Sequence, residues 1–364
     1  MFDLYSGNTP SRLNKEHFKG TVNWISSGEL KEHYIYSSKE QISEEAAKSL
    51  KLLPAGTFVI AIYGLEAEGV RGTGSITQEP STISQACMSF ISKGVIENEF
   101  LYSWYKKHGN VIGIRYAQGT KQQNLSYDIL EKFRIAYPNT KEQEKLNKFI
   151  SLLDERIATQ NKIIEDLKKL KCAIIEKVYS EIQGKEYSYG QLFDVVNERN
   201  KQMEYSNILS ASQEKGMVNR DDLNLDIQFE RSNINTYKIV RKGDYVIHLR
   251  SFQGGFAFSD KLGVCSPAYT ILRPNSLLEY GYLSNYFTSQ RFIKSLVLVT
   301  YGIRDGRSIN VDEWLRMKIT IPPKEHQQYI VEVIGTFERK IEDEEAYAAQ
   351  LSIQKQYLLR QMFV

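Results

Sequence analysis

Three cysteines in 364 residues, at positions 87, 172 and 265, are too few and too widely spaced to frame disulfides or a four-ligand metal site. They fit a reducing, cytoplasmic setting in which small thiols are simply buried. The five histidines (17, 33, 108, 248 and 326) also lie apart, with no cysteine or carboxylate at metal spacing, which argues against zinc. No apolar run approaches the roughly 18 to 20 residues that span a bilayer. Met1-Phe2-Asp3-Leu4 has no basic or apolar leader character, so neither membrane insertion nor secretion is expected. Charge of one sign is scarce as well. The net charge of +3 neither requires nor forbids a polyanionic partner, but ten of the seventeen arginines fall in residues 183–321. Arginine is the side chain best matched to phosphate and to bidentate guanine contacts.

Recognisable catalytic motifs are missing too. Gly119-Thr120-Lys121 has the wrong order for a Walker loop, and Gly69-Val-Arg-Gly-Thr-Gly74 lacks the strand-to-helix setting of a dinucleotide cradle. Ser212 and Lys215 match S-x-x-K without companion motifs. His248 reads as a sheet residue, not a general base, and nothing assembles acid, base and nucleophile.

What the chain does have is one long unbroken stretch, from Thr140 to about Tyr179, with no glycine or proline. Leu146, Phe149, Ile150, Leu153, Ile157, Ile164, Leu167, Ile174 and Val178 form one helical stripe along it. Thr140 and Gln143 predict a capping box at its start. About forty helical residues extend roughly 60 Å. Such a helix needs a partner along its stripe.

That partner is in the same chain. Ile330, Val333, Phe337, Ile341, Leu351 and Leu358 repeat Leu146, Phe149, Leu153, Ile157, Leu167 and Ile174 at an offset of 184 residues, after Pro322-Pro323. The segments before the two helices also correspond. Leu53-Pro-Ala-Gly-Thr-Phe-Val-Ile-Ala-Ile-Tyr63 parallels Val240-Arg-Lys-Gly-Asp-Tyr-Val-Ile-His-Leu-Arg250, each with a turn glycine before an apolar strand. Pro267 to Leu272 parallels Gln85 to Ile91, and the 304–310 loop parallels 118–126.

The reading is therefore a duplication of α+β class, in which two mixed α/β domains alternate with two long helices. The boundaries fall at 1–139, 140–182, 183–321 and 322–364. A pseudo-two-fold molecule follows, with antiparallel helices whose Leu146, Phe149, Leu153, Ile157, Ile330, Val333, Phe337 and Ile341 form a coiled-coil core. Within the first domain the pattern predicts strands at Thr21–Ile25, Thr57–Tyr63, Ser84–Ile91 and Phe133–Tyr137, and helices at Ser43–Leu50 and Glu99–Lys107. Arg115 to Ser126 reads as a polar loop.

With that organisation in hand, the residues resemble the specificity subunits of type I restriction–modification systems. Leu-Ser-Tyr-Asp-Ile-Leu-Glu-Lys-Phe (125–133), Pro138, Glu142-Gln143 and Leu153-Asp-Glu-Arg-Ile157 resemble the conserved region of that family. Ser6-Gly-Asn-Thr-Pro-Ser11 and Trp24-Ile-Ser-Ser-Gly28 resemble the opening of a target recognition domain. Ile309-Asn310, Trp314, Ile321-Pro-Pro323 and Gln327 repeat the pattern. The resemblance implies two target recognition domains reading the halves of a split double-stranded DNA site, with the helices as spacer. It also implies two modification subunits that supply S-adenosylmethionine chemistry, and restriction subunits that use ATP and Mg. The chain itself would hold no cofactor, would not be an enzyme, and would serve phage defence. An adenine methyltransferase would carry Asn/Asp-Pro-Pro-Tyr/Phe, whereas Pro322-Pro323 here stand between Ile321 and Lys324.

Two departures from the family pattern stand out. The chain opens almost at the recognition-domain motif, while the second domain has Tyr187 to Gln191 before the equivalent point. A short N-terminal piece is thus expected to be missing. His326 replaces the glutamate of the Glu-Gln pair, and Glu342-Asp-Glu-Glu345 is more acidic than Ala158 to Asn161.

Loops on a rigid domain are the natural place for DNA contact. The candidates are Arg71, Arg115, Tyr116, Gln118, Lys121 and Gln122 in the first domain, and Arg250, Gln253, Tyr301, Arg304, Arg307 and Ser308 in the second. Two other readings stay open at this point. One is a coiled-coil adaptor carrying two peptide-binding domains, and the other is a specificity module of a single-chain restriction enzyme.

Overall fold

A computed structural model describes residues 1–67, 69–119, 122–212, 215–222, 231–248, 255–301 and 308–363, the side chains of 231–233, 301 and 308 excepted. The chain forms two units, Met1–Gln160 with Tyr347–Val364, and Asn161–Ala346. Each unit thus combines one sheet domain with a length of both long helices.

In the first unit the order is β1 (Phe2–Ser6), β2 (Val22–Ile25), β3 (Tyr34–Ile35), β4 (Gln41–Ile42), α1 (Glu44–Lys48), β5 (Phe58–Ala61), β6 (Gly74–Thr77), β7 (Ser81–Ile83), β8 (Cys87–Ser92), α2 (Asn98–Tyr116) and α3 (Tyr127–Glu131). Helix α4 (Thr140–Ser180) follows and gives residues up to Gln160 to this unit. The main sheet runs β1-β8-β5-β6-β3, and β4-β2-β7 form a smaller one. Phe58, Val59 and Ile60 are all 0% exposed, as a continuous apolar run in a central strand requires. Phe100, Leu101, Trp104, Tyr105 and Ile112 of α2 belong to the same core.

The second unit contains β9 (Lys185–Ser188), β10 (Phe193–Val196), β11 (Leu209–Ser212), β12 (Gly216–Asn219), β13 (Lys238–Val240), β14 (Tyr245–Ile247), β15 (Phe256–Phe258), β16 (Gly263–Cys265) and β17 (Thr270–Pro274). Then come α5 (Gln290–Ser295), β18 (Thr300–Tyr301), β19 (Ser308–Ile309), α6 (Val311–Arg316), β20 (Lys318–Ile321) and α7 (Lys324–Met362). Its main sheet runs β10-β17-β14-β15, the order of β1-β8-β5-β6 over again. The turn glycines ahead of β5 and β14 both adopt positive φ, +81° at Gly56 and +93° at Gly243.

A buried glutamine fixes the start of each long helix. Gln143, 0% exposed, donates from Nε2 to the carbonyls of Val95 (3.1 Å) and Pro138 (2.9 Å) and accepts at Oε1 from the Glu97 amide (2.9 Å). Gln327, 1% exposed, does the same with Leu277 (3.0 Å), Pro322 (3.0 Å) and Glu279 (2.8 Å). Gln143 is therefore not half of a capping box with Thr140. The N-cap is Asn139, whose Oδ1 accepts from Glu142 N at 3.1 Å.

Inside each unit the two helix segments run antiparallel. In the first, Lys355 bonds Asp154 and Arg156 reaches the Tyr347 hydroxyl at 3.1 Å. In the second, Lys168 pairs with Glu345 and Lys171 with Glu338, each at 2.6 Å. Ile330 and Ile341 are buried, while Leu146, Leu153, Ile157, Val333 and Phe337 are half-buried. Phe149 is a correction, because it is 41% exposed. The buried positions are Ile150 and Ile334, both 3% exposed and again 184 apart. One residue along a helix is about 100° round it, so facing the sheet domain brings Ile150 inward and turns Phe149 out.

Three further expectations change. Helix α2 runs nine residues beyond Lys107, so Arg115 and Tyr116 end on its last turn and not in a loop. Strand β8 begins only at Cys87, after a turn in which the Cys87 amide meets the Ser84 carbonyl. Phe133 to Tyr137 is not a strand, and among the described residues it pairs with none.

Trp314 of α6 anchors the second core. It is 0% exposed and stacks on Tyr189 at 4.2 Å with planes 14° apart. Trp314→Ala is expected to cost about 3–5 kcal/mol. Thermal unfolding followed by circular dichroism should show the melting point falling by roughly 10 °C.

Candidate nucleic-acid interface

In the first unit the apolar run of β5 ends and the chain leaves the sheet through a glycine-rich loop before returning as β6. A second loop, between α2 and α3, hangs on the first. The Leu125 amide donates to Ile62 O (2.9 Å), Leu65 N to Gln123 O (3.2 Å), and Asn124 bridges to Tyr63. Side chains tighten the junction. Arg71 Nη2 donates to Gln123 Oε1 at 2.9 Å, and the Gln123 amide donates to Glu66 Oε2 at 2.8 Å. That amide holds the Glu66 carboxyl below its ordinary pKa.

Glycine makes this approach possible. The stem of Arg71 lies where a Cβ on Gly113 would stand, 2.6 Å from its Cγ, and Gly72 backs onto the Asn110 amide with φ +72°. The loop is thus pressed against α2 at Arg71 and Gly72. Arg71 acts first as a staple between two loops.

The second loop is a small hairpin. Gln118 and Asn124 exchange backbone hydrogen bonds at 2.8 and 2.9 Å, which puts Gly119 and Gln122 near its tip. Gly119 has φ +104°, and a Cβ there would lie 2.1 Å from Gln122 O. Gln118 and Gln122 are both exposed, while Lys121 lies outside the described residues. Arg115 is exposed, and Tyr116 sets its ring edge-on to Phe133 at 5.0 Å. Arg115 shares a groove with His108, Lys132 and Arg134. Lys132 and Arg134 were not singled out from sequence, although their position just after α3 was the available signal.

The second unit repeats the stems. The His248 amide meets Gly255 O at 2.6 Å, so His248 closes a loop just past β14 instead of sitting within a strand. Arg250 and Gln253 belong to that loop and lie outside the described residues. Tyr301 pairs with Ser308 across β18 and β19, as Gln118 does with Asn124. Arg304 and Arg307 lie outside the described residues, as do the side chains of Tyr301 and Ser308. Among the described residues no group of three His, Cys, Asp or Glu is placed to hold a metal, and no helix is long and apolar enough to cross a membrane.

Two sheet domains that share a four-strand order, each with a loop and a hairpin stem beyond its central strands, define a duplicated target-recognition scaffold. The sequence matches the type I restriction modification DNA specificity domain twice, over residues 1–169 and 184–352. The chain belongs to the type I restriction–modification specificity family. It is 27% identical over 201 residues to the type I restriction enzyme MjaIX specificity subunit of Methanocaldococcus jannaschii, covering 53% of this chain and 45% of that protein. It is 29% identical over 190 residues to the EcoR124I/EcoR124II specificity subunit of Escherichia coli, covering 51% and 44%. The chain thus spans about half the length of the curated relatives it matches. The S subunit from M. genitalium shares the fold at TM-score 0.51 and 14% identity, over 100% of this chain and 94% of that one. A chain solved in work on complex assembly of the type I R-M system reaches 0.63 at 14% identity, over 99% and 97%.

Proposed function

We propose that this chain is the non-catalytic, DNA-reading subunit of a type I restriction–modification enzyme, with each recognition domain reading one half of a bipartite double-stranded site. The observation that carries the reading is the duplication of the loop and hairpin stem on two sheets that share the four-strand order β1-β8-β5-β6 and β10-β17-β14-β15. In the first domain exposed Gln118, Gln122 and Arg115 would reach base edges or phosphate, with Arg71 bracing the loops behind them, and Lys121 is assigned to phosphate from its chemistry alone. In the second, Arg250, Gln253, Tyr301, Arg304, Arg307 and Ser308 take the same roles. Arginine and glutamine suit guanine and adenine edges, and lysine and serine suit phosphate.

Adenine methylation and cleavage fall to partners, two modification subunits carrying S-adenosylmethionine and restriction subunits using ATP and Mg. Exposed apolar side chains on the long helices support docking of such partners: Leu152 (53%), Leu170 (48%), Ile353 (67%) and Tyr357 (59%).

The test is methylome sequencing of cells with and without the chain, plus Arg304→Glu/Arg307→Glu. Deleting the chain should abolish methylation at a bipartite motif. The double variant should weaken binding tenfold or more and relax one half-site only. The same adenines methylated with and without the chain would overturn the reading. Normal methylation by the charge-reversed protein would remove those arginines from it.

A further inference from the structure

Each unit holds one aliphatic side chain out in water on a tightly braced turn. In the first, the chain leaves β1 and turns where Asn14 N donates to Ser11 O (3.3 Å), with Arg12 and Leu13 at the tip. Arg12 is bolted down. Its guanidinium makes a two-point ion pair with Glu40 (2.9 and 2.7 Å) and lies over the rings of Phe18 (4.6 Å) and Trp24 (5.4 Å). Asn14 Oδ1 accepts from Glu16 N (3.1 Å), and the Trp24 indole N–H donates to Asn8 O (3.0 Å). Leu13, between those anchors, is 98% exposed.

The second unit reaches the same end by other means. After β10, the buried Asn200 (2% exposed) bonds the Tyr205 backbone twice, Nδ2 donating to Tyr205 O (2.8 Å) and Oδ1 accepting from Tyr205 N (3.2 Å). The Asn200 carbonyl accepts from Met203 N (2.9 Å), which closes a turn over Lys201 and Gln202. Met203 has φ +55°, the only positive φ outside glycine among the described residues, and is 57% exposed. A single exposed aliphatic residue is ordinary. One braced on a turn in each of two domains, and strained in one of them, points to an external partner.

The ends of the sheets identify that partner. Strands β1 and β5 both run antiparallel to β8, with Ser6 and Ile60 opposite Met88, so the Leu13 loop leaves the sheet at the same end as the glycine-rich loop. Strands β10 and β14 are related to β17 in the same way, with Val196 and Val246 opposite Ile271. The Met203 loop therefore leaves beside the loop of Arg250 and Gln253. Cations flank both tips. Lys15 is exposed next to Leu13, where Glu16 is engaged by Lys19 at 2.7 Å, and exposed Arg199 and Lys201 outnumber Glu204 around Met203. An apolar tip between cations suits a phosphate backbone with bases behind it. We propose that Leu13 and Met203 are wedges, each inserted between two base pairs of the half-site its own domain reads. Leucine and methionine are among the side chains that part base steps in this way. An adenine must leave the stack to be methylated, and a step already parted lowers the work of extruding it. The inference rests on the DNA reading proposed above.

The test uses the full chain assembled with its modification subunits, on a duplex carrying the motif that methylome sequencing gives. Each base pair of a half-site and its flanks, the methylated adenine excepted, receives a base analogue whose fluorescence stacking quenches: 2-aminopurine for adenine or pyrrolocytosine for cytosine. A severalfold rise is expected at one step in each half-site. Leu13→Ser should abolish the rise in the first half-site alone and Met203→Ser in the second alone. Methylation of that half-site should slow about tenfold while the bases read stay the same. Both side chains are exposed, so the serine variants should melt within about 2 °C of the parent. Met203→Gly should melt higher, because its strain is relieved, and still lose the rise. The inference fails if the parent complex binds its site with no rise at any step, or if the serine variants keep the rise. It also fails if those variants no longer co-purify with the modification subunits, which would make the tips protein contacts. Should the parent complex show no site-specific binding, the DNA reading itself falls and takes the inference with it.

Discussion

Gln327→Leu is expected to lower the melting point of the chain by roughly 10–15 °C, a larger fall than any loop substitution should cause. The buried side chain satisfies the Glu279 amide and the Leu277 and Pro322 carbonyls, and leucine of similar volume can bond none of them. Each orphaned buried group costs about 1–3 kcal/mol, so three of them put the loss at roughly 3–9 kcal/mol. Gln143→Leu should behave alike, since its three partners stand in the same relation. Gln143→Glu separates hydrogen bonding from volume. A carboxylate among carbonyls and out of water has its folded-state pKa raised above the unfolded value of about 4.3. Protonated, it keeps one donor, so the variant should be least impaired below pH 4.3 and lose stability as pH rises toward the folded pKa. Melting curves at pH 5 and pH 8 check this, and an equal loss at both would show that the hydrogen bonds are not what the glutamine contributes.

The second large effect is a change of DNA target without a change of bases. On the proposed reading, matched seven-residue insertions after Gln160 and after Ala346 should lengthen the spacer between half-sites. By helical rise alone each adds about 10 Å, on the order of three base pairs. Seven residues return the stripe to within about 20° of its starting face, so pairing of the helices survives. Inserting in one helix only should break their register and abolish methylation. Methylome sequencing reads both outcomes. New half-site bases, or an unchanged spacer in an active enzyme, would sink the ruler idea.

What could be read from the chain in advance, and what could not, follows from the reach of each signal. The 184-residue repeat was legible because helical stripes and turn glycines are local, and Gly56 and Gly243 sit where the repeat put them. Phe149 was misplaced because periodicity gives the width of a stripe but not its centre, which the neighbouring domain decides. The end of α2 was missed for a related reason. Gly109 and Gly113 weaken helix propensity, and only packing explains them: a Cβ on Gly113 would meet the Arg71 stem, and one on Gly109 the Tyr105 ring. Gln143 and Gln327 stood out in the sequence as part of a motif. Two of the three partners of each lie about fifty residues upstream and carry no side-chain signature, because they are backbone groups. Of the candidate contact residues, the first domain's Gln118, Gln122 and Arg115 are accessible, while Arg71 is engaged with Gln123.

The make-up of the first unit also has a consequence for how the protein is made. Its core contains Phe363, 1% exposed and in ring contact with Phe100 at 5.1 Å, and Lys107 bonds the carbonyls of Arg360 and Phe363. The second unit is a contiguous run that ends at Ala346. On the ribosome, then, the order of completion inverts the order of translation. The later-made domain has all its residues first, while the earlier-made one waits with an open core until the last turns of the final helix have emerged. A chain truncated just after Ala346 would hold every residue of the second unit and lack the part of the first unit's core that Phe363 supplies.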